Sequence, residues 1–307
     1  MDENKPRAPA SAAPMDAAGS PHGDVRLLLV DDDPSAILVL SRMLARYPDQ
    51  RFATSGAEAL RLARESPPDL ILLDAEMPGM TGFEVCSALR NDPLLAQVPV
   101  IFATSHDTAE VQVAALRQGA VDFLTKPLDA ARVAARVGAH LRSRALLNAT
   151  KDIGTEPAPR APPGDLHLPR LLIVDDDVAA IQLLHNTLAG VGELYFAKSG
   201  TEALELAHRH WPDLILLDAQ MPGVDGFEVC AALKAEPAFF HVPIVFVTRY
   251  SDPRNELRAL DLGAADFIGK PYTRAILLAR VRNLLELKQR TDDALHGAHE
   301  PDRKCVV

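Results

Sequence analysis

A single repeat constrains this chain more than any other feature of its sequence. The residues PDLILLDA at 68–75 return unchanged at 212–219, an offset of 144 residues. The same offset, without a gap, relates three further pairs of motifs: the aspartate triplets at 31–33 and 175–177, Thr104 and Thr248, and the Lys-Pro pairs at 126–127 and 270–271. One domain has therefore been duplicated, and the polar residues able to carry chemistry were duplicated with it.

Length, charge and cysteine content narrow the class of protein. A chain of 307 residues with 48% hydrophobic content is long enough for two cores of ordinary domain size. The net charge of −10, without a concentrated Lys/Arg run, argues against a nucleic-acid partner. A signal peptide and an apolar run of roughly 20 residues are both missing, so no membrane partner is expected. Cys86, Cys230 and Cys305 do not suggest a disulfide framework, which favours a reducing, cytoplasmic location.

Segments rich in proline and small residues divide the chain. The first 24 residues lack hydrophobic periodicity, and they bury too little apolar surface to offset the entropy of ordering. The prolines between residues 157 and 169 predict a stiff, extended connection between the repeats. We expect five parts: a disordered tail at 1–24, a first domain at 25–147, a Pro-rich linker at 148–168, a second domain at 169–290 and a C-terminal tail at 291–307.

Short apolar runs alternate with segments of helical spacing inside each copy. In the first copy we predict strands at 25–30, around Phe52, and at 70–73, 98–103 and 121–124. Helices are predicted at 34–47, 56–65, 82–91, 108–118 and 129–147, and adding 144 to each limit gives the second copy. Strands that are apolar throughout are typical of a sheet buried on both faces. The sequence therefore predicts an α/β chain with two tandem, doubly wound, five-stranded parallel sheets.

Polar residues stand at the carboxyl ends of four predicted strands in the first copy. They are the aspartate triplet at 31–33, Asp74, Thr104 and Lys126. Ligands of open α/β sheets bind beyond this edge. Taken alone, each signal has an ordinary structural explanation: a capped turn for the triplet, a β-branched strand residue for Thr104, a surface lysine for Lys126. Together they predict a carboxylate-rich site.

The carboxylates indicate what such a site would bind. Acidic groups held close together repel one another unless a positive charge lies among them. A few hard oxygen ligands, with room for water and phosphate, suit Mg²⁺ better than Zn²⁺ or a closed Ca²⁺ cage. The glycine-rich phosphate-binding loops of nucleotide enzymes are missing from the sequence, so nucleotide binding is not supported.

Each copy resembles the receiver domains of bacterial two-component response regulators. The resemblance rests on LLVDDD at 28–33, LLDAEMPG at 72–79, Thr104 and Lys126-Pro127 in the first copy. The second copy has LIVDDD at 172–177, LLDAQMPG at 216–223, Thr248 and Lys270-Pro271. The resemblance implies a flavodoxin-like fold with strand order 2-1-3-4-5. It also implies a phosphorelay, in which a sensor histidine kinase or a histidine phosphotransfer protein supplies the phosphoryl group.

The resemblance implies a role for each matching residue. Asp74 and Asp218 would be the phosphoacceptors, and the same sites would hydrolyse their own acyl phosphate. Each copy would hold one Mg²⁺. In the first copy its ligands would be Asp74, Asp32 and the main-chain carbonyl of Glu76, with Asp31 holding metal-bound water. In the second copy they would be Asp218, Asp176 and the main-chain carbonyl of Gln220, with Asp175 holding metal-bound water. The phosphoryl oxygens would be contacted by Thr104, Lys126, Thr248 and Lys270, and the aromatic switch residues would be Phe123 and Phe267.

The two copies differ beside the acceptors. Ser105 and His106 become Arg249 and Tyr250, and Glu76 becomes Gln220. In the family these positions tune phosphorylation and hydrolysis. Arg249 would narrow the approach to Asp218 or clamp its phosphoryl oxygens, so we predict different rates and lifetimes at the two sites.

Several functions stay open at this level. The chain is either a switch that presents a protein-binding face or a phosphate sink that loses phosphoryl groups to water. It also resembles the receiver half of a diguanylate cyclase-type regulator without its output domain. A haloacid-dehalogenase-type phosphatase is disfavoured, because Asp74-Ala75-Glu76 lacks the second aspartate that such enzymes need. The last helix is expected from 273 to 287, or to 295 if it extends as a dimerisation helix.

Overall fold

The computed structural model describes residues 25–105, 108–149 and 168–297. The expected tail at 1–24 and most of the expected linker lie outside these residues. Within them, no helix combines the length and the apolar content needed to cross a membrane.

The first sheet belongs to domain 1, the part of the chain that ends with the first long helix. Its strands are β1 (Arg26–Val30), β2 (Asp49–Ala53), β3 (Leu70–Asp74), β4 (Val100–Thr104) and β5 (Asp122–Thr125). Its helices are α1 (Pro34–Met43), α2 (Gly56–Glu65), α3 (Gly82–Arg90), α4 (Ala109–Arg117) and α5 (Ala130–Ala149). The strands are parallel in the order β2-β1-β3-β4-β5.

Domain 2 repeats this plan at the same offset. Its strands are β6 (Arg170–Val174), β7 (Glu193–Ala197), β8 (Leu214–Leu217), β9 (Ile244–Thr248) and β10 (Asp266–Gly269). Its helices are α6 (Val178–Leu188), α7 (Gly200–His210), α8 (Gly226–Ala235), α9 (Pro253–Asp261) and α10 (Arg274–Gly297). The order β10-β9-β8-β6-β7 is that of domain 1 read from the other edge. The predicted fold class is therefore confirmed in both copies.

Each sheet is covered by helices on both faces. In β1, Leu28 and Val30 pack into one core, while Leu27 and Leu29 pack into the other. The central strands β3 and β4 are buried along their whole length. The edge strand β2 is more exposed, which explains why its sequence has little apolar character. Burial on both faces is the reason that the central strands are apolar without alternation.

Two element boundaries differ usefully from the sequence-based expectation. Helix α1 ends at Met43 instead of residue 47. Helix α10 runs to Gly297, so the longer of the two expected ends, near Leu295, is closer to the structure than the shorter one.

Asp33, the last aspartate of the first triplet, caps α1, because its side chain accepts a hydrogen bond from the Ser35 amide at 2.8 Å. The ordinary explanation of the triplet, a helix cap, is thus correct for its last member.

The domains pack through equivalent elements. Helix α4 lies against α10, and α5 lies against α9. The offset of 144 residues maps α4 onto α9 and α5 onto α10, so each contact is the counterpart of the other. The two domains therefore face each other as a pseudo-twofold pair.

A glycine at the start of α3 is required by the close approach of β3. The Gly82 amide donates to the carbonyl of Ala75 at 3.0 Å, and a Cβ added there would lie 2.1 Å from the Asp74 carbonyl oxygen. We expect Gly82→Ala to destabilise domain 1 by about 1–3 kcal/mol, the usual cost of overpacking. The urea midpoint of domain 1 measures this loss. Ser87→Ala on the same helix is the control, and an unchanged midpoint for Gly82→Ala would contradict the steric argument.

Candidate functional site

The parallel arrangement of the strands brings the predicted polar residues of domain 1 to one edge. Asp31 follows β1, Asp74 ends β3, Thr104 ends β4 and Lys126 follows β5. Strands β1, β3, β4 and β5 follow one another in the sheet, so their carboxyl ends lie side by side. The edge forms because parallel strands end in the same direction, and the apolar strands leave these side chains as its polar groups.

A shared lysine joins the two buried acids of domain 1. The Lys126 ammonium donates to Asp74 Oδ1 at 2.5 Å and to Asp31 Oδ2 at 2.8 Å. Both carboxylates are almost fully buried, with 5% and 2% of their surface exposed. Backbone amides complete the arrangement, since Glu76 N donates to Asp74 Oδ2 and Asp33 N donates to Asp31 Oδ1, each at 3.0 Å. The acids are therefore held by a single cation and by fixed main-chain donors.

Domain 2 has the same arrangement with slightly different distances. The Lys270 ammonium lies 2.6 Å from Asp175 Oδ2 and 3.2 Å from Asp218 Oδ1. The Gln220 amide donates to Asp218 Oδ2 at 2.9 Å, and the Asp177 amide donates to Asp175 Oδ1 at 3.0 Å. The sequence repeat is thus also a repeat of geometry, down to individual oxygen atoms.

Burial and the lysine act in opposite directions on the acids. Desolvation raises the pKa of Asp74, although hydrogen bonding and attraction from Lys126 lower it. Desolvation likewise raises the pKa of Asp175, against hydrogen bonds from Lys270 and from the Asp177 amide. The pKa of Lys126 is raised, because its hydrogen bonds to both acids outweigh the effect of its own burial. The lysine therefore stays charged and serves as the counter-ion of the pair.

The acid edge fits an open Mg²⁺ site. Among the described residues, no three carboxylate, thiol or imidazole side chains converge on one point. Asp32 and Asp176 are exposed beside the buried acids, so they can reach a cation at the mouth of each site. An ion held this way would keep much of its water, as Mg²⁺ does in proteins. The donor set, all hard oxygen, is the one that Mg²⁺ prefers.

The predicted threonines and aromatic residues occupy distinct places. Thr104 and Thr248 are buried at the ends of β4 and β9. Phe267 is buried and stacks on Phe246 at 6.2 Å between ring centroids. Phe123 is only half-buried. The two copies thus differ in how deeply the strand-five aromatic is buried.

Arg249 of domain 2 contacts the last aspartate of the triplet at 175–177. Its guanidinium lies 2.9 Å from Asp177 Oδ2, so it bridges the end of β9 to the start of α6. Arg249, Lys270 and Tyr272 line the same cavity of about 590 Å³. Burial raises the pKa of Tyr272 to about 12. Sequence reasoning missed Tyr272, although the offset places it opposite Leu128 and so marks it as a further difference between the copies.

The remaining predicted tuning residues are less informative. Ser105 and Tyr250 are exposed, and the Tyr250 amide donates to Thr248 Oγ1 at 3.2 Å. His106 lies outside the described residues.

Comparison with known proteins agrees with this geometry. The model of the response regulator receiver domain matches the chain twice, at residues 27–138 and 171–282. The chain belongs to the response regulator receiver family. Receiver domains take part in two-component signalling, generally bind Mg²⁺ at the phosphorylation site, and typically interact with histidine kinases or phosphotransfer proteins.

Individual relatives of this receiver pair cover different parts of it. Response regulator PleD of Caulobacter vibrioides is 31% identical over 275 residues, which are 87% of this chain and 60% of PleD. Protein PilH of Pseudomonas aeruginosa is 40% identical over 105 residues, which are 34% of this chain and 87% of PilH. Among solved structures, chemotaxis protein CheY4 of Vibrio cholerae is 29% identical, covers 38% of this chain and 98% of its own, and has a TM-score of 0.36. The chain thus spans about 60% of the length of PleD.

Removal of the shared lysine tests how each receiver domain is held together. We expect Lys126→Met to lower the free energy of unfolding of metal-free domain 1 by about 1–3 kcal/mol, because two buried carboxylates lose their charged donor. Thermal unfolding in a chelating buffer measures the loss. Lys198→Met, at an exposed position, is the control. An equal effect of the two substitutions would show that the pair with Lys126 adds no stability.

Proposed function

We propose that this chain is a two-site phosphorelay response regulator in which Asp74 and Asp218 accept phosphoryl groups from a phosphohistidine. The observation that carries the proposal is the same in both domains. A buried carboxylate at the end of the third strand shares one lysine with the acid that follows the first strand. The partner is a sensor histidine kinase or a histidine phosphotransfer protein, and a cytoplasmic location fits that partner.

The chemistry follows from the positions of the acceptor and the lysine. An oxygen of Asp74 attacks the phosphorus, a P–O bond forms, and the P–N bond to the donor imidazole breaks. The leaving imidazole takes the electron pair of that bond. The Lys126 ammonium nitrogen lies 2.5 Å from Asp74 Oδ1. Its positive charge would therefore neutralise charge on the phosphoryl oxygens as they approach the carboxylate. Positioning and electrostatics therefore supply most of the catalysis.

Mg²⁺ would lie on the acid side of each site. In domain 1 it would be held by Asp32, Asp74 and the Glu76 main-chain carbonyl, and through water by Asp31. In domain 2 the corresponding ligands are Asp176, Asp218, Gln220 and Asp175. When bound, the ion supplies further neutralisation of the phosphoryl oxygens. The site residues orient the acceptor, because main-chain donors already hold one of its oxygens.

Phosphorylation would be read through the threonine and the aromatic residue. A new phosphoryl group adds about −1.5 to −2 charge and three acceptor oxygens at the sheet edge. Thr104 ends the strand beside the one that carries Asp74, and Thr248 has the same position relative to Asp218. Each threonine hydroxyl would donate to the phosphoryl oxygens of its own domain. The aromatic residues Phe123 and Phe267 would then turn inward and shift the population of the face formed by the fourth helix, fifth strand and fifth helix.

Labelling with acetyl phosphate tests the acceptors directly. With Mg²⁺ present, we expect label on the wild-type chain, partial label on Asp74→Asn and on Asp218→Asn, and none on the double variant. Chelation of Mg²⁺ should abolish labelling, and Asp49→Asn, at an exposed position, is the control that keeps it. Label that persists on the double variant would show that the acceptors lie elsewhere.

The ion pair between Arg249 and Asp177 predicts a difference in lifetime between the sites. Both residues line the cavity that Lys270 also lines, and we propose that the pair limits the approach of water to an acyl phosphate on Asp218. We expect Arg249→Ser to shorten the lifetime of phosphorylated Asp218 by about 3–10-fold, which corresponds to roughly 1 kcal/mol in the barrier. The decay of label in the Asp74→Asn background measures it.

Two controls sharpen this comparison. Arg254→Ser removes an exposed arginine from the start of α9 and should leave the lifetime unchanged. Ser105→Arg in the Asp218→Asn background places an arginine at the equivalent position of domain 1 and should lengthen the lifetime there. Decay that is equally fast with and without Arg249 would remove this residue from the list of tuning positions.

A further inference from the structure

A cluster of buried charges lies between the two domains, away from both acceptor sites. Asp122 and Arg136 of domain 1, and Asp266, Arg280 and Glu256 of domain 2, are all buried. They belong to the fifth strands, to the long helices α5 and α10, and to α9. Neither acceptor site uses them, and charges are rarely buried unless they are paired.

The four central charges form a ring that repeats itself under exchange of the domains. Within domain 1, Arg136 Nη1 lies 2.5 Å from Asp122 Oδ2, and Arg280 pairs with Asp266 in the same way within domain 2. Each arginine also reaches across the interface. Arg136 lies 3.2 Å from Asp266, and Arg280 lies 3.2 Å from Asp122. Burial opposes ionisation of Asp122, yet Arg136, Arg280 and His140 together hold its pKa well below the usual range.

The symmetry fails at two positions, and both failures change charge. Glu256 pairs with Arg136 at 2.6 Å and with Arg132 at 3.1 Å, both across the interface. The offset of 144 residues places Gln112 opposite Glu256 and Ile276 opposite Arg132. Domain 1 therefore has an extra base on this face, whereas domain 2 has an extra acid.

The division of charge determines which faces match. Domain 1 against domain 2 brings together three acids (Asp122, Asp266, Glu256) and three bases (Arg132, Arg136, Arg280). Domain 1 against a second domain 1 would bring together two acids and four bases. Domain 2 against a second domain 2 would bring together four acids and two bases. Only the mixed pair is neutral, and uncompensated charge in a buried interface is strongly unfavourable.

The rim of the interface has the same bias. Arg142 donates to the Leu260 carbonyl at 2.8 Å. Burial lowers the pKa of Arg142, and attraction from the adjacent Asp261 offsets part of that effect. The offset maps Arg142 to Glu286 and Asp261 to Arg117, so the signs are again reversed between the domains. On the same side of domain 1, His140 contacts Asp122 at 3.3 Å, and its counterpart is Leu284.

We infer that the joined faces, formed by α4, β5 and α5 in domain 1 and by α9, β10 and α10 in domain 2, select each other and reject copies of themselves. The basic face of domain 1 binds the acidic face of a domain 2. It does so within one chain or, between two chains, by exchange of domains. Rejection operates through the extra like charges that a self-pair would bury. The inference rests on the charges of the joined faces and does not require that Asp74 or Asp218 be phosphorylated.

Two full-length variants with altered faces test this selection. In the first, Glu256→Gln with Ile276→Arg puts the charge set of domain 1 on both faces. In the second, Gln112→Glu with Arg132→Ile puts the charge set of domain 2 on both faces. We expect each variant alone to stay at monomer mass with a larger hydrodynamic radius than wild type, since its own domains no longer match.

An equimolar mixture of the two variants decides the question. Each face then meets the opposite charge set, so the mixture should form a dimer that binds at least about tenfold more tightly than either variant binds itself. Size-exclusion chromatography with light scattering measures mass and radius together. Association of either variant with itself as readily as with the other would overturn the inference, and so would a mixture that stays monomeric.

The controls separate selection from general charge effects and from loss of the fold. Glu205→Gln with Leu94→Arg makes the same net change at exposed positions, and this chain should stay compact and ignore the second variant. Circular dichroism reports on folding of each variant.

A milder pair of substitutions gives a second measurement if a double variant unfolds. Glu256→Gln alone should increase the hydrodynamic radius. Adding Arg132→Gln restores the charge balance, because it leaves two acids and two bases, and it should reduce the radius again. Arg61→Gln, on the exposed side of α2, is the control: added to Glu256→Gln, it should not reduce the radius. Failure of Arg132→Gln to restore the radius would contradict the charge count.

Discussion

The buried carboxylate at the end of the third strand is the constraint on which each domain depends. Asp74 ends an otherwise apolar strand and Asp218 directly follows one, so each chain segment brings a charged group to a buried position. That position is tolerable only because a lysine from the fifth strand and an amide from the following loop are held against the carboxylate. The parallel sheet supplies both, since it ends five strands at one edge. In the proposed function, the geometry that compensates the buried charge would also prepare the carboxylate for attack on phosphorus.

The interface between the domains shows how a duplicated surface acquires direction. Duplication produces two faces that fit each other and fit themselves equally well. Here Glu256 and Arg132 depart from the repeat, and both substitutions move charge in the sense that favours the mixed pair. The guanidinium carbon of Arg280 also lies 4.7 Å from the ring centroid of Phe123, the proposed aromatic switch of domain 1, so that ring contacts the buried cluster. A shift of that ring would therefore change a contact made by domain 2.

Sequence reasoning recovered most of the fold and most of the polar side chains that meet at the sheet edge, and the reasons are specific. Strands such as β3 are apolar throughout because both faces are covered, and helices such as α2 begin at a residue that the sequence marks as a cap. The edge strand β2 was located only through Phe52, because an exposed strand has little apolar pattern to follow. The bridge from Arg249 to Asp177 was not foreseen, because the partner of a long side chain depends on the relative placement of two loops.

The sequence by itself determined that one domain occurs twice, that each copy is a parallel α/β sheet, and that Asp74 and Asp218 stand with acids, a threonine and a lysine at its edge. These properties follow from local patterns of burial and from the common direction of parallel strands. Only the tertiary structure decided that Asp122, Arg136, Asp266 and Arg280 form a buried ring, and that Glu256 meets Arg132. In the sequence these are ordinary charged residues. Their burial depends on which faces of two separate domains come together, a property of the assembled surfaces and not of any local pattern.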